Sequence, residues 1–175
     1  SMQPHPSSEE NPTDAVWLDP VQGARPSLGA TVPVALFRAL RVDGMMKGLD
    51  AAIGDASTLV YRAGRTVGAP IGVDIAAQAN GDLGAFLGGV VETGKALGIG
   101  VISLVPGSLT ATGLTLRVDE CVTCAGSESI GRKICHFEGG FIASVVEGFT
   151  GKPAIATETL CNANGDDACV FHVDL

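Results

Sequence analysis

The chain has 175 residues, which is enough for one domain with a substantial core. Its formal net charge of -8 disfavours nucleic acid as a partner, because phosphate backbones are bound by clustered Lys and Arg. No apolar run approaches the ~20 residues of a membrane-spanning helix, and the N-terminus lacks the pattern of a signal peptide. We therefore expect a cytoplasmic protein without a membrane span.

The first 30 residues are predicted to form a flexible N-terminal arm, because they hold five of the nine prolines together with Ser, Glu and Asn. The domain is predicted to span 31–175. Its first part has helical spacing, with Asp43 and Asp55 as candidate N-caps and Pro70 as the expected end of the second helix. A third helix is predicted over 82–97.

Beyond Gly98 the apolar period changes to two, which predicts strands. The expected elements are strands at 99–105 and 114–118, a helix at 134–149, and strands at 154–160 and 168–173 joined by a turn. This order predicts an α+β fold with an antiparallel four-stranded sheet flanked by helices.

All five cysteines lie in the last third of the chain, at Cys121, Cys124, Cys135, Cys161 and Cys169. An odd number excludes full disulfide pairing, and a C-x-x-C turn lets two thiolates converge on one ion. Cys135 is expected at a helix N-terminus, where the backbone amides favour the thiolate. The pattern indicates a closed tetrahedral zinc site of four thiolates, with the fifth cysteine left over.

Several motifs together resemble the 4-vinyl reductase domain family: ECVTCAG at 120–126, CHFEGGF at 135–141, TGKP at 150–153, ETLC at 158–161 and GDDACVF at 165–171. The segments YRAGRTVG at 61–68 and LGIG at 97–100 are also similar, so the resemblance covers about 32–175. It implies a fold like that of TRAPP subunits and haem-based nitric oxide sensors, a homodimer, and a buried apolar cavity. Family members serve as accessory proteins in bacteriochlorophyll synthesis and as sensor domains of phenol-responsive transcription activators.

The resemblance also implies a ligand set. In the phenol-responsive activators one glutamate and three cysteines bind zinc, and the three cysteines match Cys135, Cys161 and Cys169. The fourth ligand is expected within 120–124, which offers Glu120, Cys121 and Cys124. We predict Cys124, with Cys121 as the alternate, because a softer thiolate set suits zinc; an iron–sulfur cluster is the alternative cofactor.

The sequence contains no nucleophile elbow, phosphate-binding glycine loop or dinucleotide fingerprint, and it predicts no catalytic residue. We therefore expect a non-enzymatic, zinc-stabilised module that senses or carries an apolar or aromatic small molecule. Tyr61, Phe137 and Phe141 are the candidate pocket residues. Two other hypotheses are an accessory role in tetrapyrrole 4-vinyl reduction and a scaffold for other proteins.

Overall fold

The computed structural model describes residues 24–175, of which 33–175 form one compact unit. Most of the predicted N-terminal arm, residues 1–30, lies outside the described part. No helix within residues 24–175 is both long enough and apolar enough to cross a membrane.

The compact unit begins with a continuous helical stretch. It consists of α1 (Val34–Arg38), a π-helical segment (Ala39–Lys47) and α2 (Gly48–Ile53), with right-handed helical dihedrals at both junctions. Asp43 lies inside this stretch, and its carboxylate accepts a hydrogen bond from Lys47 Nζ at 2.6 Å. The prediction of a helix start at Asp43 is therefore wrong, because the helical backbone already runs through that position.

Two longer helices follow. The first, α3 (Ser57–Ala79), continues through Pro70, so the predicted end at this proline is wrong. Packing along its whole length against a later helix outweighs the hydrogen bond that the proline ring removes. The second, α4 (Leu83–Ala96), starts at Asp82, whose carboxylate accepts from the Ala85 amide at 2.7 Å, as an N-cap residue does.

The sheet contains β1 (Val101–Leu104), β2 (Gly113–Asp119), β3 (Ile155–Leu160) and β4 (Cys169–Asp174), and α5 (His136–Thr150) lies between β2 and β3 in sequence. The strands are ordered β1-β2-β4-β3, and every pair is antiparallel. The predicted α+β class and four-stranded antiparallel sheet are confirmed.

One face of the sheet is buried under the helices. Alternate residues of β2 and β4 point inward and face each other across the ladder, as the period of two requires. The buried cross-strand pairs are Leu114 with Val173, Leu116 with Phe171, and Val118 with Cys169.

Helices α3 and α5 cross at glycines. A Cβ atom at Gly140 would overlap the carbonyl oxygen of Tyr61, and one at Gly64 would overlap that of Phe137. Further along, a Cβ at Gly148 would lie 2.5 Å from the carbonyl carbon of Gly72. The two backbones therefore approach so closely that only glycine fits at these positions.

We predict that Gly140→Ala destabilises the protein by about 3 kcal/mol or more, because the new methyl group meets rigid backbone instead of a movable side chain. Gly88→Ala in α4 is the matched control, since a Cβ there meets no atom of the described residues within 4 Å. It should be neutral or stabilising by up to about 1 kcal/mol. Urea unfolding of both variants measures the difference, and equal stabilities would contradict the proposed crossing.

Candidate functional site

The five cysteine side chains converge between the end of β2, the start of α5 and the β3–β4 hairpin. All five are fully buried and free. The Sγ atom of Cys124 lies 3.4 Å from that of Cys135, 3.3 Å from that of Cys169 and 3.9 Å from that of Cys161. The Sγ atom of Cys135 lies 3.9 Å from that of Cys161 and 3.7 Å from that of Cys169. The predicted set Cys124, Cys135, Cys161 and Cys169 is thus brought together.

Local backbone structure directs these thiols inward. Glu120 has a left-handed φ of 54° and turns the chain out of β2. The amides of Cys124 and Ala125 then donate to the carbonyl of Cys121 at 3.2 and 2.9 Å, which closes the C-x-x-C turn. Cys135 precedes α5 directly, as predicted, and occupies its N-cap position.

The hairpin cysteines are set by a second turn. The amide of Cys161 donates to Asp166 Oδ2 at 2.8 Å, and a 3-10 turn (Asn162–Asn164) ends at Gly165, which has a φ of 97°. Cys169 then opens β4 on its buried face. The turn residues that the sequence marks therefore place Cys161 and Cys169 on the same side of the hairpin.

The sulfur spacing fits a metal ion. Four thiolates at ~2.3 Å from a tetrahedral zinc ion are ~3.8 Å from one another, and the Sγ distances quoted above range from 3.3 to 3.9 Å. A disulfide would need ~2.05 Å. The cluster could therefore hold a metal ion.

Two sets of four donor atoms lie within 4.8 Å of one another. One set is Cys121, Cys124, Cys135 and Cys169, and the other is Cys135, Glu158, Cys161 and Cys169. The alternate residue Cys121 is thus part of the cluster, with its Sγ 3.7 Å from that of Cys135.

Glu158 is the site residue that sequence reasoning missed. Its Oε2 accepts from the Cys135 amide at 3.0 Å, and its Oε1 is buried without a hydrogen-bond partner among the described residues. In a regular strand, residues three apart face opposite sides, so Glu158 and Cys161 should diverge. A register shift between Glu158 and Leu160 brings both to the cluster. The carboxylate beside the sulfurs is therefore Glu158, whereas Glu120 is exposed.

The thiols and the carboxylate are coupled electrostatically. Hydrogen bonds from neighbouring thiols hold the pKa of Cys121 and Cys161 far below the usual range, whereas the proximity of those sulfurs raises the pKa of Cys135. Burial, followed by the nearby Cys161, raises the pKa of Glu158 to about 9. The buried cluster therefore retains protons that an arriving cation must displace, and its metal affinity should fall as the pH falls.

Two arginines of the first helical stretch support the C-x-x-C turn. Arg38 donates through Nε to the Val122 carbonyl and through a terminal nitrogen to the Ala125 carbonyl, both at 2.7 Å. The backbone of the turn is thereby tied to the start of the helical stretch.

Arg41 forms a second connection to the turn. It is buried, lies with its guanidinium carbon 5.1 Å from the centre of the Phe137 ring, and pairs with buried Glu138 at 3.3 Å. Glu138 also accepts a short hydrogen bond from the Thr123 hydroxyl within the C-x-x-C turn. Burial, the largest influence, raises the pKa of Glu138 to about 7.

An apolar pocket lies between α4, α5 and the sheet, and its cavity of about 10 Å³ has room for about one water molecule. Every lining side chain is apolar. The lining consists of Phe86, Leu87, Val90, Ile102, Leu114, Leu116, Phe141, Ile142, Val145 and Val146.

The three predicted pocket residues occupy different places. Phe141 lines the apolar pocket. The Tyr61 hydroxyl accepts from the Ala156 amide at 3.0 Å and so joins α3 to β3, while Phe137 lies beside Arg41. A ligand-binding role for these three residues stays a prediction.

Comparison with known proteins identifies the C-terminal part of the chain. The 4-vinyl reductase domain family matches residues 114–175, which contain all five cysteines and Glu158. An uncharacterized protein of Methanocaldococcus jannaschii is 26% identical over 85% of this chain and 79% of its own length. Two more uncharacterized proteins of that organism are 36% and 40% identical over 62 residues, which are 38% and 34% of their lengths.

Solved structures share the fold at low identity. The phenol-responsive sensory domain of the transcription activator PoxR, solved with phenol, has a TM-score of 0.55 at 15% identity, over 82% of this chain and 74% of its own. A vinyl-4-reductase family protein of M. jannaschii scores 0.56 at 12%, covering 90% and 94%. A trafficking protein particle complex subunit 3 of Naegleria fowleri, covalently bound to palmitic acid, scores 0.61 at 16%, covering 81% and 94%.

These findings define the class: a TRAPP-like α+β fold with a cysteine cluster beside its sheet. Residues 114–175 carry a 4-vinyl reductase domain, which confirms the resemblance predicted from the motifs.

We predict that Glu138→Ala lowers the free energy of unfolding by about 3–5 kcal/mol, because it leaves the buried charge of Arg41 unpaired. The double variant Arg41→Met/Glu138→Leu should recover most of that loss. Urea unfolding at saturating zinc provides the measurement.

Asp43→Ala is the matched control, since the Asp43–Lys47 pair is more than 60% exposed and should matter little. A double variant as unstable as Glu138→Ala would show that the loss does not arise from the unpaired arginine.

Proposed function

We propose that the protein is a non-enzymatic small-molecule-binding module, a sensor or carrier of an apolar or aromatic ligand, in which a zinc ion bound by the cysteine cluster braces the ligand pocket. The observation that carries the proposal is the wholly apolar pocket between α4, α5 and the sheet. The fold likeness to a phenol-responsive sensory domain supports it. A small ligand is favoured over a tetrapyrrole, because a macrocycle is far larger than this closed cavity.

The cluster and the pocket share structural elements. Cys135 lies at the start of α5, and the same helix supplies Phe141 and Val145 to the pocket lining. Cys169 pairs with Val118 of β2, the strand that supplies Leu116. An ion that fixes these two cysteines would therefore hold two of the pocket walls at a set separation.

The donor atoms favour a structural zinc ion. Thiolates with one carboxylate suit zinc, and a closed set of four ligands leaves no open position for a substrate. Sγ atoms 3.3–3.9 Å apart match the edges of a single-ion tetrahedron. An iron–sulfur cluster interposes iron and sulfide ions between its thiolates and needs wider spacing, so it has less support.

The exposed side of the first helical stretch supports a homodimer. Leu36 and Leu40 are 46% and 60% exposed, and Ile53 is 56% exposed. Apolar residues grouped on one surface are typical of subunit contacts. We place the dimer contact on this stretch and the protein in the cytoplasm, where a reducing environment keeps thiols available for metal.

We predict that Cys135→Ser abolishes stoichiometric zinc binding and lowers Tm by about 10 °C or more, since loss of a few kcal/mol shifts Tm by several degrees. Elemental analysis and calorimetry test this, with the exposed Ser127→Ala as control. Zinc removal by a chelator that leaves both Tm and ligand affinity unchanged would refute the bracing role.

We predict that phenol or a methylphenol binds the zinc-loaded protein and that Leu87→Trp weakens binding at least about tenfold, equivalent to ~1.4 kcal/mol. Leu87 is half-buried and lines the pocket, so a larger side chain there competes with the ligand. Leu83→Trp is the matched control, because Leu83 is 37% exposed one turn earlier on the same helix.

Isothermal titration calorimetry measures both variants against the parent protein. Equal losses in the two variants would place the ligand elsewhere. A protein that binds neither phenols nor fatty acids but shifts the absorption band of a porphyrin would favour the tetrapyrrole alternative.

A further inference from the structure

The two donor sets of the cluster overlap. Both contain Cys135 and Cys169, whose Sγ atoms are 3.7 Å apart, close to the ~3.8 Å edge of a zinc–thiolate tetrahedron. The remaining donors fall into two pairs, one formed by Cys121 and Cys124 and the other by Cys161 and Glu158. Six donors arranged in this way form two four-donor sites that share one edge.

We propose that the cluster binds two divalent cations of the zinc class, bridged by the thiolates of Cys135 and Cys169. Cys121 and Cys124 complete the first ion's ligands, and Cys161 and Glu158 complete those of the second. This inference rests on the metal-braced role proposed above and extends it from one ion to two. Thiolate bridges between two zinc ions are an established arrangement in small zinc domains.

The geometry supplies ligands for both ions. On the first side, the Sγ of Cys121 lies 3.7 Å from that of Cys135, and the Sγ of Cys124 lies 3.3 Å from that of Cys169. On the second side, Glu158 Oε2 is held by the Cys135 amide, while its Oε1 is buried with no hydrogen-bond partner in residues 24–175. A buried oxygen without a partner is costly, and a metal ion would satisfy it.

Charge balance favours the second ion. An ion bound by Cys135, Cys161, Cys169 and Glu158 alone leaves Cys121 and Cys124 as buried thiols. A second divalent cation brings two positive charges and releases two thiol protons to solvent, so the net charge of the buried cluster does not change. The fifth cysteine, which a single tetrahedral site leaves without a role, becomes a ligand.

The experiment counts metal ions per chain. The full-length protein is stripped of metal under reducing conditions and refilled with zinc. Loosely held metal is then removed with a weak chelator, and native mass spectrometry and elemental analysis give the stoichiometry. We expect two zinc ions per chain, one in the Cys121→Ser/Cys124→Ser variant, and two in the control Glu120→Gln, whose exposed carboxylate lies beside the same turn.

The possible results are distinct. One ion per chain in the parent protein would overturn the second site and leave the metal-braced role intact, whereas no ion would overturn both. Two ions in the Cys121→Ser/Cys124→Ser variant would overturn the ligand assignment.

A second measurement does not depend on the folding of a variant. The cadmium-113 NMR spectrum of the cadmium-loaded parent protein should contain two resonances, each split by coupling through the bridging sulfurs. A single unsplit resonance would overturn the proposal.

Discussion

The confinement of five sulfur atoms in one dry volume is the constraint on which the rest of the structure depends. Neutral thiols are easy to bury, but thiolates are not, and sulfurs 3.3–3.9 Å apart cannot all ionise without a cation among them. The C-x-x-C turn, the start of α5 and the β3–β4 hairpin are distant in sequence and meet only at this cluster. Its occupation therefore links the sheet to the helix that covers it.

The glycine crossing complements this link at the other face of α5. Because α3 and α5 approach at Gly64, Gly68 and Gly140, α5 is held between α3 on one side and the cluster at its N-terminus. A helix fixed in both ways can present Phe141 and Val145 to the pocket without drifting. The small cavity is consistent with this rigidity, since a ligand must displace side chains, with Leu87 the half-buried one, to enter.

The sequence predicts the sheet and the cysteine cluster well because both rest on local signals: period-two alternation, turn residues and thiol spacing. It fails where tertiary packing overrides a local rule. Pro70 continues a helix because glycines on α3 and α5 lock the backbone, and Asp43 lies inside a π-helical segment. Glu158 escapes notice because a register shift in β3 alters which residues share a face, and no residue type marks that shift.

The arginines connect the cluster to the first helical stretch and thereby indicate where a change at the site would be transmitted. Arg38 binds two carbonyls of the C-x-x-C turn, and Arg41 reaches it through Glu138 and Thr123. Any movement of this turn on metal binding must shift these partners, because a buried charge cannot leave its counter-ion without a large penalty. A nine-residue π-helical segment contains Arg41, and such segments are weaker than regular α-helix and recur at functional sites. The same stretch presents exposed Leu36 and Leu40, so a change at the metal ligands would reach the surface where a second subunit is proposed to bind.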